Sequence, residues 1–321
     1  MKVYRPVVPA KVNLYLEIIG DRPDGFHELA TIFQSIDLHD RVTVRSAPSG
    51  IIRVRCDHPD VPEDATNLAY RAAALMAERF PAAFSKYGGV DLEIEKRVPV
   101  AAGLAGGSAN GVAALAGVDL LWELGLTRAD LCDLAAELGS DLPFCVLGGT
   151  ALATGRGELL DPLPDVQGVW TVLGKYRSIG VSTPWAYKTY RDRFGADYAR
   201  TAAELKARRQ AAKSGEMVQA IARLSKGDRD ALPVLAALMR NDFEKVVLPE
   251  YPAIATLRDT LAEAAPLGAM MSGSGPTVFA LAPSHDEAEA IRDRAQSRLG
   301  DQDLDFWIAP FRCSGIGLDP A

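Results

Sequence analysis

Four short stretches carry residue types that could do chemistry on a phosphate. Pro9-Ala10-Lys11-Val12-Asn13 offers an ammonium beside an amide. Residues 99–110, PVAAGLAGGSAN, are mostly glycine and alanine. Gly139-Ser140-Asp141-Leu142-Pro143 offers one carboxylate, and Ser272-Gly273-Ser274-Gly275 is a second glycine turn. Alternating Val90, Leu92 and Ile94 predict a strand leading into the second stretch. Val112, Leu115, Leu120, Leu121 and Leu124 predict a helix leading out of it. A small-residue loop between a strand and a helix N-terminus is a place for an anion, because the first helical N–H groups lack partners and carry partial positive charge. Gly103, Gly106 and Gly107 would let the backbone approach phosphate oxygens with no Cβ in the way. One helix end gives an exposed anion only about 0.3–1 kcal/mol, so several donors must converge.

Other chemistries fit poorly. The loop lacks the Gly-Lys-Ser/Thr of a Walker sequence and is not G-x-G-x-x-G. Ser108 has no G-x-S-x-G elbow, and His27-Glu28 is followed by Thr31 where a zinc protease needs histidine. His39, His58 and His285 sit in polar surroundings and read as surface positions. Cys56, Cys132, Cys145 and Cys313 show no C-x-x-C spacing, which points to free thiols in a reducing cytoplasm. The net charge of −7 argues against a nucleic-acid or anionic-membrane partner, though a nucleotide needs only local donors. The longest apolar run, 111–126, is broken by Asp119 and Glu123 and cannot span a bilayer. Lys2, Arg5 and Lys11 near the start have no apolar run after them, so no signal peptide is expected. With 48% hydrophobic and 24% charged residues, the 321-residue chain can bury the core of one large domain or two ordinary ones.

These segments need elements to position them. Val12, Leu14, Leu16 and Ile18 alternate as in a half-buried strand. Segments 31–36, 41–45 and 51–56 also read as strands, and residues 20–26 as a turn. Asn67 is placed to cap a helix to Arg79, before Pro81. Gly125 reads as the C-cap of the helix after the loop. Thr127 with Asp130 predicts a capping box for the next helix, ending near Gly139. A strand pair is expected at 144–147 and 151–154, leaving Asp141 on a loop between helix and strand. A composition shift near Pro162–Asp165 suggests domains of 1–165 and 166–321. Past a strand at 169–173 the chain reads as mostly helical. Residues 187–238 look like a solvated helical region. Strands at 269–271 and 277–281, a helix at 285–299 and a strand near 306–309 complete an α+β chain.

Each chemical segment has a plainer reading on its own. Lys11 could be a strand-edge charge, Asp141 a turn or cap residue, and the second glycine run a hairpin turn. Their joint occurrence in this order resembles the GHMP small-molecule kinases. The resemblance narrows through Pro9-Ala10-Lys11-Val12-Asn13-Leu14, Arg22-Pro23-Asp24-Gly25-Phe26-His27-Glu28-Leu29, Phe33-Gln34-Ser35-Ile36-Asp37-Leu38 and Asn241-Asp242-Phe243-Glu244. These match the branch that phosphorylates a cytidine diphosphate sugar alcohol in the non-mevalonate isoprenoid route.

The resemblance implies a two-domain fold with an N-terminal domain like that of a ribosomal protein, an α/β C-terminal domain and the active site between them. It implies Asp141 as the base that takes the acceptor hydroxyl's proton, with Lys11 beside the transferring phosphoryl. It implies that Pro99, Val100, Ala101, Ala102, Gly103, Leu104, Ala105, Gly106, Gly107, Ser108 and Ala109 wrap the ATP phosphates, with Asn67 and Lys96 near the adenine. Phe26 and Tyr187 would sandwich the cytosine, His27 would read its edge, and Asn13 and Thr183 would contact the acceptor. The second glycine turn would support the phosphates from the other domain. ATP is the implied co-substrate and Mg²⁺ is expected with it, without an assigned protein ligand. The implied partners are small molecules, with no nucleic acid and no membrane, and the protein is expected to be a monomer or weak homodimer. Another GHMP kinase (homoserine or mevalonate type), a non-catalytic ligand-binding member and an RNA-binding protein are the alternatives. Alanine at 105, where many relatives carry Gly or Ser, predicts φ below zero there.

Overall fold

Two short pieces, β1 (Val3–Tyr4) and β2 (Pro6–Val7), lead into the long strand β3 (Ala10–Asp21), which pairs antiparallel with β4 (His27–Ile36). The computed structural model describes residues 2–47 and 50–318. The simple alternation expected along β3 is interrupted. Asn13 opposes Phe33 and Tyr15 opposes Ile32, so Leu14 is the extra residue of a bulge. Lys11, Asn13 and Leu16 therefore share one face, whereas Val12, Leu14 and Tyr15 turn to the core behind the sheet.

A second sheet holds β5 (Arg41–Ala47), β6 (Ile52–Cys56) and β7 (Gly89–Glu95), with β1 at its edge. Helices α1 (Leu68–Arg79), α2 (Pro81–Tyr87) and α3 (Gly106–Trp122) lie nearby. Asn67 caps α1 as its sequence predicts. Helix α3 is apolar nearly all round and is buried between α1 and β5, as such a helix must be. It ends on Glu123, two residues before the expected cap at Gly125. Helix α4 (Arg128–Leu138) carries both arms of the Thr127–Asp130 capping box.

The strand expected at 144–147 is instead a helix, α5 (Leu142–Leu147). Pro143 sits in its first turn, where a fixed φ helps and a missing N–H costs nothing. Its short apolar run is compatible with either structure by periodicity alone. Asp141 thus lies between two helices, not between a helix and a strand. β8 (Thr150–Gly155) and β9 (Leu159–Leu163) extend the β3–β4 sheet.

β10 (Trp170–Tyr176) belongs to a third sheet. Helices α6 (Thr183–Phe194), α7 (Ala202–Ser214), α8 (Glu216–Leu224) and α9 (Ala231–Ala237) follow. β11 (Arg240–Asn241) then returns to pair with β3 at Tyr15 and Leu16, tying the two halves of the chain together. α10 (Glu244–Glu250), α11 (Pro252–Ala264), β12 (Ala269–Met271), β13 (Val278–Ala282), α12 (His285–Leu299) and β14 (Leu304–Pro310) complete the third sheet and its helical cover, and β15 (Gly317–Leu318) pairs with β2.

One loop residue departs from expectation. Ala105 has φ +57 and ψ +26, left-handed, at the N-cap of α3, and Ala101 has φ +50. The turn that aims the first α3 N–H groups at the cleft requires this conformation, and its surroundings hold the alanine in it. Left-handed alanine is strained, and glycine is the better N-cap. Ala105→Gly is therefore expected to raise stability by about 0.5–1 kcal/mol, read as an increased denaturation midpoint. An unchanged or lower midpoint would mean that the strain is absorbed elsewhere.

Candidate active site

The four chemical segments meet. Lys11 is almost fully buried, and its Nζ donates to Asn13 Oδ1 (2.7 Å) and to the Gly103 carbonyl (2.9 Å). Asp141 Oδ2 lies 3.9 Å from the same nitrogen, an ion pair but too far for a hydrogen bond. Burial lowers the Lys11 pKa, and the attraction of Asp141 only partly opposes this. The Asp141 side chain caps no helix N–H, which leaves its carboxylate open to the cleft.

The second glycine turn closes on the first. Ser272 Oγ donates to the Gly103 carbonyl at 3.1 Å. Gly103 has φ +73, and a Cβ there would come within 2.3 Å of the Ser272 carbonyl oxygen, so only glycine fits the approach. The Asn241–Glu244 motif holds the turn from behind. Asn241 Nδ2 donates to the carbonyls of Met271 (2.7 Å) and Gly273 (2.8 Å), and Glu244 accepts from the Met271 N–H at 2.8 Å. Asp242 accepts from the Ile18 N–H at 2.9 Å, fixing the same motif to β3. The sequence marks this motif but does not show that it joins the glycine turn to the lysine-bearing strand.

Two compartments result. The first, about 630 Å³, is lined by Lys11, Asn13, Phe26, His27, Asp141, Thr183 and Tyr187, among others. The second, about 530 Å³, is lined by residues 99–108 together with Asn67 and Lys96. They share Leu68, Gly103, Ala105, Ser108 and Thr183. Ala109 lines neither, because it is already buried inside α3. Asn67 and Lys96 are engaged elsewhere: Asn67 bonds the Ala69 N–H and the Pro62 carbonyl, and Lys96 pairs with buried Asp40.

Around the first compartment the aromatic residues are arranged in pairs. His27 stacks on Tyr187 with centroids 4.6 Å apart, and Phe243 meets Tyr187 edge-on. Phe26 is half exposed, with the Arg156 guanidinium 4.8 Å over its ring. Burial, and then the charge of Arg191, hold the His27 pKa below the ordinary histidine value, so the ring is neutral at pH 7. Its Nε2 is buried and makes no hydrogen bond among the described residues. Asn13 Nδ2 is held by Thr31 Oγ1 at 2.8 Å, and Thr183 Oγ1 lies 2.7 Å from Ser274 Oγ.

Arg156, Lys188 and Arg191 also line the first compartment and were not expected from the sequence. Two of them were legible in principle. Thr183, Tyr187 and Arg191 follow each other at i, i+4 on α6, with Lys188 adjacent, so one helix face carries them all.

Residues 67–149 match the GHMP kinases N terminal domain and residues 217–301 the GHMP kinases C terminal family. A protein of Nostoc punctiforme called 4-diphosphocytidyl-2-C-methyl-D-erythritol kinase is 55% identical over 317 residues, 98% of each chain. Its counterpart from Trichodesmium erythraeum is 52% identical over 318 residues, 99% of each chain. A crystal structure of 4-(cytidine 5'-diphospho)-2C-methyl-D-erythritol kinase superposes with a TM-score of 0.71 at 30% identity, covering 96% of this chain and 98% of that one. A homoserine kinase from Cytophaga hutchinsonii superposes with a TM-score of 0.74, covering 99% and 98%, but at 19% identity that likeness shows the shared fold alone. Similarity of this extent, over nearly the whole length of its relatives, means that the chain belongs to the GHMP kinase family, in the branch of the 4-diphosphocytidyl-2-C-methyl-D-erythritol kinases.

Proposed function

We propose that the chain transfers the γ-phosphoryl group of ATP to the 2-hydroxyl of 4-diphosphocytidyl-2-C-methyl-D-erythritol, giving the 2-phosphate and ADP, on the non-mevalonate route to isoprenoid precursors. The supporting observation is the meeting of two compartments at Gly103, Ala105 and Ser108, with the Lys11–Asp141 pair on the acceptor side of the junction. The small-residue loop holds the triphosphate. Asp141 takes the proton of the hydroxyl as its oxygen bonds to the γ-phosphorus, and the bond to the β,γ-bridging oxygen breaks to release ADP. Lys11 and the loop N–H groups stabilise the charge on the transferring group. Such a reaction asks the protein mainly for alignment.

The acceptor compartment suits a cytidine diphosphate compound. Phe26 offers an exposed ring face for the base, and the stacked rings of His27 and Tyr187 form an aromatic wall of the same compartment. Lys188, Arg191 and Arg156, paired with Asp192, Asp21 and Glu158, line the same compartment and offer donors for a diphosphate on a protein of net charge −7. Mg²⁺ would arrive with ATP; Ser108, on the wall shared by the two compartments, would offer it one hydroxyl oxygen, the phosphates and water supplying the rest. When bound with ATP it would neutralise phosphate charge. Among the described residues no helix is long and apolar enough to cross a membrane. The four cysteines are free thiols, in keeping with a cytoplasmic setting.

The direct test is ADP release with 4-diphosphocytidyl-2-C-methyl-D-erythritol, homoserine and mevalonate in parallel. Turnover confined to the cytidine compound supports the reading, and preference for either other alcohol overturns it. Stacking a base on an aromatic is worth roughly 1–3 kcal/mol. Tyr187→Ala should therefore raise the KM for the acceptor by about 5- to 150-fold and leave that for ATP nearly unchanged. Equal losses for both substrates would count against a base-binding role.

A further inference from the structure

Helix α7 buries none of its side chains, yet one of them reaches the acceptor compartment's wall. Arg209 forks onto both oxygens of Glu28, with Nε 2.7 Å from Oε1 and Nη2 2.6 Å from Oε2. The Glu28 side chain is 2% exposed and is the residue after His27. It also accepts from Arg22 Nη1 at 3.1 Å and from the Gly155 N–H at 2.9 Å. Arg22 in turn holds the turn that carries Phe26: its N–H donates to the Phe26 carbonyl at 2.9 Å, and its guanidinium grips Asp24, which accepts from the Phe26 N–H at 3.2 Å. Gly155 precedes Arg156, the cation over the Phe26 ring. One buried carboxylate thus joins the Phe26 turn, the His27 strand, the Arg156 turn and α7.

We propose that Glu28 and Arg209 are positioning residues for acceptor binding, and that α7 serves as a brace whose fork sets how firmly residues 22–27 and Arg156 are held. This rests on the reading that Phe26 and His27 contact the acceptor. The brace follows from chemistry. A carboxylate this buried must be paired, and a bidentate guanidinium pairs it with fixed direction as a lysine cannot. Leu205, one turn before Arg209, packs against Gly20 at the start of the same turn, and the Ala199 N–H donates to the Ile19 carbonyl at 2.8 Å. The segment leading into α7 and its first turns are therefore laid along the acceptor loop. The phosphate loop at 99–108 is not among the partners of Glu28 or Arg209.

The test measures KM for acceptor and for ATP, and kcat, in Arg209→Ala, Arg209→Lys and Tyr187→Ala. Arg209→Ala should raise the acceptor KM about tenfold, with ATP KM and kcat within about twofold, and Arg209→Lys should recover part of the loss. Amide hydrogen exchange in Arg209→Lys, the milder variant, should quicken at residues 22–27 and stay unchanged at 99–110. If Tyr187→Ala raises the acceptor KM and the Arg209 variants do not, the brace is refuted and the acceptor site stands. If Tyr187→Ala has no effect either, the acceptor reading itself fails. Parallel losses for both substrates in Arg209→Ala and Arg209→Lys would reduce the fork to a general stabilising contact and overturn the proposal.

Discussion

Asp141→Asn should lower kcat by about 10²- to 10⁴-fold while ATP binds with nearly native affinity. The substitution keeps the shape of the side chain and removes only its ability to take a proton. It breaks no hydrogen bond that holds the helix, because Asp141 caps nothing, and the side chain is partly exposed, so folding should be preserved. Lys11 keeps its bonds to Asn13 and to the Gly103 carbonyl. What it loses is the largest attraction opposing its burial, so its pKa falls further. The alkaline limb of the remaining activity should therefore move to lower pH. The measurements are single-turnover rates, ATP titration and a pH profile. Activity within a few-fold of the original would remove Asp141 from the base role.

Gly103→Ala should damage the protein nearly as much by a different route. Left-handed alanine costs about 1–2 kcal/mol. The larger problem is space: the new Cβ would overlap the Ser272 carbonyl at 2.3 Å and crowd that of Gly275 at 3.1 Å. Those atoms are backbone and cannot swing aside. The loop and the turn must separate, and the Gly103 carbonyl then leaves both Lys11 Nζ and Ser272 Oγ. A displacement of about 1 Å at a reacting centre costs on the order of 10²-fold, so kcat/KM should fall by about that much or more, with a lower melting temperature. Near-native activity would mean that the loop reaches the turn only loosely.

Much of this was legible in the residues. Capping chemistry announced α1 and α4, and turn residues bounded β12 and α12 at the positions observed. Lys11, Asp141 and the small-residue loop could be singled out through their joint order along the chain and the family resemblance it carries, since each alone has an ordinary reading. What stayed hidden depends on contacts distant along the chain. The α5 segment is short and apolar, so its helical form is decided by packing and by Pro143. The left-handed Ala105 is imposed by the closure of the loop, against the residue's own preference. The role of Asn241 becomes visible only once β11 is seen to pair with β3. Glu28 reads as one acidic residue among many until the fold brings Arg209 to it.

The bulge at Leu14 imposes a parity rule on the strand that carries Lys11. Just upstream of it the odd-numbered Lys11 and Asn13 line the cleft, and just downstream the even-numbered Leu16 does. Removing one residue at the bulge would restore plain alternation and leave Lys11, Asn13 and Leu16 on one face, whereas adding one would turn one of the two groups inside out, putting either the charge in oil or Leu14 in the cleft. This strand can therefore be shortened at that one place, but it cannot be lengthened without re-aiming its side chains.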